Sequence, residues 1–141
     1  LDTLAATKDI GERQLRPYIM YDSATLERWT VVGTEEIGYT AKIDFKNCGQ
    51  NPGIIIAKSG TVYAPLGNGR WGSKGSAANK CRMVVGPGQT ETLEFPTVRA
   101  DDQGRITWFQ IGVLILFENQ HGDVFEEYVW LMYNGAGFSQ A

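Results

Sequence analysis

Tyr39-Thr40-Ala41-Lys42-Ile43-Asp44-Phe45-Lys46 decides the fold class. In an extended chain Tyr39, Ala41, Ile43 and Phe45 fall on one face, and Thr40, Lys42, Asp44 and Lys46 on the other. Alternation with a period of two marks a strand with one face in a core and one in water. The run ends in Asn47-Cys48-Gly49-Gln50-Asn51-Pro52-Gly53, a cluster of turn-favouring residues.

The same grammar extends in both directions. Tyr18 to Tyr21 and Leu26 to Val32 read as strands before it. Gly53 to Ala57, Thr61 to Pro65, Arg82 to Val85 and Glu91 to Phe95 read as strands after it, the last with Leu93 and Phe95 inward. Leu66 to Lys80 is polar and glycine-rich and reads as a loop, and Asp101-Asp102-Gln103-Gly104 as a turn. Arg105 to Phe117 and Val124 to Tyr133 are the longest strands, joined through Asn119-Gln120-His121-Gly122-Asp123. Val113 and Ile115 load one face while Leu114 and Leu116 load the other, which suits a central strand. Seven or eight strands at this spacing predict an immunoglobulin-like antiparallel β-sandwich. Leu1 to Arg16 is the one helical candidate, with a weak stripe of Leu4 and Leu15, and Pro17 marks its end. The expected organisation is a helical connector over 1–16, a sandwich over 17–134 and a tail over 135–141.

The 141 residues suit one domain with a real core. A net charge of -3 without a basic block argues against nucleic-acid binding. No apolar run approaches the ~20 residues of a membrane-spanning helix. The chain begins at Leu1 rather than Met, so a fragment or a processed form is expected, which leaves room for an upstream anchor. Cys48, in the turn after the alternating strand, and Cys81 are a candidate disulfide pair; two free thiols are the alternative.

The motifs offer little catalysis. Gly67-Asn68-Gly69-Arg70-Trp71-Gly72 has the letters of a dinucleotide-binding turn but no flanking strand–helix unit. Its overlap with a phosphate-binding loop fails because Ser73 precedes Lys74, transposing the lysine and hydroxyl. His121 is the only histidine and sits in a turn, where a solvated residue is expected. No serine lies in a nucleophile motif. Glu35-Glu36 and Asp101-Asp102 flank turns, and Glu126 and Glu127 point to opposite faces of a strand. No cofactor, metal site or catalytic residue is expected. Trp29, Trp108 and Trp130 fall in strands, and core filling is their expected role, with a sugar-stacking platform as the alternative. Arg70 and Trp71 are the candidate interaction residues, because arginine and tryptophan often anchor interfaces.

Asp9-Ile10-Gly11-Glu12-Arg13-Gln14-Leu15-Arg16-Pro17-Tyr18-Ile19 resembles a stretch in uncharacterised bacterial membrane-anchored proteins. Asp44 to Gly53, Pro87-Gly88-Gln89-Thr90 and the hairpin from Gly112 through His121-Gly122 are similar to that family's turns and final strands. The resemblance covers most of Asp9 to Tyr133. It departs at Pro17, where a small residue is usual, and at Cys48, where threonine is common. It implies a single N-terminal membrane helix upstream and a domain at the bacterial inner membrane, facing the periplasm. The expectation is therefore a non-catalytic binding or structural module for a protein partner. The alternative is a small-ligand or carbohydrate-binding module using loop aromatics such as Trp71.

Overall fold

The structure, a computed structural model, describes residues 17–30, 32–33, 37–67, 70–75, 79–99 and 108–140. The expected helix over 1–16 and the turn at Asp101–Gly104 lie outside the described residues. Among those described the fold is all β, with nine strands in two antiparallel sheets. They are β1 (Ile19–Thr30), β2 (Ile37–Asn47), β3 (Gly53–Gly67), β4 (Arg70–Gly75), β5 (Asn79–Val85), β6 (Thr90–Arg99), β7 (Phe109–Glu118), β8 (Val124–Tyr133) and β9 (Phe138–Gln140). One sheet has the order β1-β2-β6. The other has the order β4-β3-β7-β8-β9, with β5 paired to β3.

From Ala41 onward the alternating run behaves as its pattern dictates; Tyr39, expected on the core face, is half-buried beside a register shift between Gly38 and Thr40. Ala41, Ile43 and Phe45 of β2 are fully buried beside Leu93 and Phe95 of β6. They join Ile55, Val62, Val85, Val129, Leu131 and the odd-numbered residues Phe109 to Phe117 of β7 in one core cluster. The two sheets therefore share a single core. Phe138 of β9 closes one end of it, edge-on to Phe109 at 5.8 Å between ring centres. The segment expected to be a tail thus supplies a strand.

Two strands were each expected as two, for one physical reason. The β1 register shifts between Tyr21 and Ser23, and the β3 register shifts between Ile55 and Ala57. A bulge adds one residue to one side of a ladder and flips the face of everything beyond it. In β3 the buried positions accordingly change from Ile55 to Val62, odd to even. Read from sequence, such a flip looks like a break.

The loop expected over Leu66 to Lys80 is a correction. β3 runs on to Gly67, β4 returns from Arg70 to Gly75, and β5 starts at Asn79. Backbone pairing needs no apolar alternation, so this polar hairpin carries no periodic signal.

Asn47 joins the two sheets at one end of the core. Its buried Nδ2 donates to Asn51 O at 2.8 Å and Val85 O at 3.0 Å. Its Oδ1 accepts from Gly49 N at 2.9 Å. These bonds satisfy the amide of a fully buried side chain, which would be costly to leave unpaired.

Candidate functional site

The outer faces of the two sheets differ in chemistry. On β1-β2-β6, Asp44 is held by two hydroxyls: Ser23 donates to Oδ2 at 3.0 Å and Thr92 to Oδ1 at 2.5 Å. Lys42 pairs with Glu27 and lies 3.7 Å from Glu94. The hydrogen bond and charge of Glu27 raise the Lys42 pKa. Lys58 reaches over from β3 and donates to Glu94 O at 2.7 Å, occupying the free edge of β6. A groove of about 590 Å³ runs along this face. Its Asp44 and Lys42 are already partnered, which describes a solvated face better than an acid–base pair poised for chemistry.

The outer face of β3-β7-β8 is aromatic. Gly112 pairs directly with Trp130, and the indole lies over the glycine. A Cβ at Gly112 would come within 2.3 Å of Trp130 Cζ3 and 2.8 Å of the Tyr128 hydroxyl. The missing side chain is the seat of the platform. Trp130 Nε1 donates to Gln110 Oε1 at 3.2 Å, fixing the ring in its plane. Tyr63 lies 5.4 Å from Trp130 at a 56° tilt, and Tyr128 stacks at 6.5 Å from the other side. Tyr63, Trp108, Gln110 and Trp130 line a shallow, open depression of about 350 Å³. Tyr128 is 60% exposed and Tyr63 40%. Leu114 and Leu116 lie half-buried on the same face of β7, outside the core.

Core filling by the tryptophans is therefore corrected. None of Trp29, Trp108 and Trp130 belongs to the core cluster. Trp29 covers Gly38, its partner across the β1–β2 ladder, and is 38% exposed. Phenylalanine and branched aliphatics fill the core instead. Each of these two tryptophans covers a glycine opposite it, but Trp130 alone of the pair stands in an aromatic cluster with an open depression.

The other candidates are placed as follows. Arg70 and Trp71 open β4, where Arg70 pairs with Gly67 and Trp71 with Pro65, two residues along β3 from Tyr63. Their side chains lie outside the described residues. A strand follows Gly67 where a nucleotide-binding turn needs a helix. Cys48 and Cys81 are free thiols, so the candidate bridge is not formed. Cys48 Sγ is 3.9 Å from Lys46 O and Cys81 Sγ is 3.9 Å from Ile55 O, each turned to the backbone of its own sheet. His121 is exposed in the β7–β8 turn, its amide donating to Asn119 Oδ1 at 2.9 Å. Among the described residues no three metal-ligand side chains converge, and no helix is long and apolar enough to cross a membrane.

No family model matches the chain, and no curated protein matches it. Solved structures do. The putative ApaA protein from Bordetella pertussis superposes with a TM-score of 0.52 at 14% identity, over 85% of this chain and 98% of its own. The structural-genomics target SoR45 superposes with a TM-score of 0.54 at 10% identity, over 89% of each chain. At these identities the likeness is one of fold.

Proposed function

We propose that this chain is a non-catalytic recognition module that binds a protein partner through the outer face of β3-β7-β8. The observation that carries the reading is the seat of Trp130 on Gly112. It produces a rigid aromatic platform flanked by exposed tyrosines on an outer face. Large aromatics held in place lose little entropy on binding and dominate interface energetics. The opposite sheet shows a face of paired charges and hydroxyls, which is expensive to desolvate.

The module is an immunoglobulin-like sandwich in this reading. Taking β1, β2 and β6 as strands A, B and E, and β4, β3, β7 and β8 as C′, C, F and G, gives that order. β5 departs from it by pairing with β3. The resemblance of Asp9 to Ile19 to membrane-anchored bacterial proteins supports presentation at the inner membrane, facing the periplasm. A small saccharide on the same rings is the second reading, favoured by the tilt of Tyr63 against Trp130.

A photo-cross-linking amino acid at Tyr128, expressed in the source cell, tests the face. A discrete protein adduct from position 128, with none from Thr25 on the opposite sheet, is expected. Equal yields from both positions, or none from 128, would reject the assignment.

A further inference from the structure

We infer that the free edge of β1 pairs with β1 of a second copy of this chain, antiparallel about a two-fold axis at Thr25, joining two three-stranded sheets into one of six strands. This contact is separate from the recognition face, which lies on the other sheet.

The strand edges differ in how they are protected. β6 carries Pro96, and Lys58 Nζ donates to its Glu94 O at 2.7 Å. β9 has three residues. β4 and β5 have six and seven, with Lys74 and Lys80. Short length, lysine and proline are the usual devices against edge-to-edge pairing. β1 runs for 12 residues with neither lysine nor proline. β2 pairs with one side of it, and among the described residues no strand pairs with the other. Its one protective feature is the bulge at Asp22, towards one end.

The sequence of β1 then selects the partner and the register. Residues opposed across antiparallel strands share a face, and faces alternate, so a two-fold axis must pass through a residue. Over the regular stretch the central choices are Thr25, Leu26 and Glu27. An axis at Glu27 opposes two carboxylates. An axis at Leu26 sets Arg28 against Ala24 and pairs no charges. An axis at Thr25 sets Asp22 against Arg28 of the second copy, and by symmetry does so twice. It also sets threonine against threonine and the half-buried Ala24 against the half-buried Leu26. Asp22 and Arg28 are exposed, and the ion pairs among the described residues, Lys42 with Glu27 and Glu94, use neither. The bulge removes Asp22 from the β2 ladder and falls where the pairing ends, so the positions from Ser23 to Glu27 are regular. Opposite charges across strands stabilise a pairing and like charges oppose it, so these residues favour a copy of this strand over an arbitrary one.

Sedimentation equilibrium of the chain over a range of concentrations tests this, with Asp22→Arg, Arg28→Asp and the double exchange. The parent is expected to form a dimer. Each single reversal replaces two attractions by two repulsions and should weaken the dimer about tenfold or more. The double exchange recreates both pairs and should restore it, which a variant that merely misfolds would not do. A parent that stays monomeric, a dimer indifferent to both reversals, or a loss that the double exchange fails to repair would overturn the inference. The cross-linking comparison of positions 128 and 25 concerns adducts to other proteins. Pairing through β1 adds at position 25 a species of twice the chain mass, so either contact can fail without the other.

Discussion

Gly112 has no side chain, and Trp130 occupies the space that one would fill. The pairing follows from the hairpin, since a turn centred on His121 sets Gly112 opposite Trp130. Gly112→Ala forces a Cβ into the indole, so the ring must leave its seat or the two strands must part. Overpacking of this kind costs about 1–3 kcal/mol. The expected outcome is a lower urea midpoint together with red-shifted tryptophan emission. An unchanged emission spectrum would mean that the ring does not rest there. Trp130 was legible as a strand residue, but its face was not. Large aromatics suit a core and an exposed platform equally, and the choice between them was set by the register of one neighbour.

At the scale of the element, β7 shows why a strand apolar on both faces is ambiguous. Phe109, Ile111, Val113, Ile115 and Phe117 are fully buried, while Leu114 and Leu116 are half-buried on the opposite face. The double loading does mark a central strand, since β7 lies between β3 and β8. It also marks an outer face that keeps half-buried leucines, which periodicity alone does not separate from core burial. The two faces should answer differently to truncation. Ile115→Ala opens a core cavity and is expected to cost about 2–5 kcal/mol. Tyr128→Ser, on the exposed face of β8, is expected to cost under about 1 kcal/mol. Urea denaturation of both variants checks the contrast, and comparable losses would contradict the assignment of faces. The bulges in β1 and β3 hid the continuity of those strands, because each reverses the alternation midway. The β3–β4 hairpin hid for another reason: its glycine and serine residues pair through backbone groups that the sequence pattern does not record.

For the whole molecule, the important property is asymmetry between two outer faces around one core. The core was legible from Ala41, Ile43, Phe45, Leu93 and Phe95, whose alternation needs no tertiary information. The candidate site was not, because Tyr63, Gln110, Gly112 and Trp130 come from three strands and meet only once the ladders are in register. One face spends its polar groups on each other, as with Asp44 and Lys42. The other offers rings to solvent. The most direct test of the account is proton NMR of the intact chain with a soluble paramagnetic reagent. Ring signals of Tyr63 and Tyr128 and the rim of Trp130 should broaden early, while methyl signals of Ile115, Val113 and Leu131 stay sharp. The Gly112 Hα signals should also move upfield under the Trp130 ring current. Sharp Tyr128 and Trp130 signals at reagent concentrations that broaden other surface groups, with Gly112 unshifted, would place those rings inside and remove the recognition face.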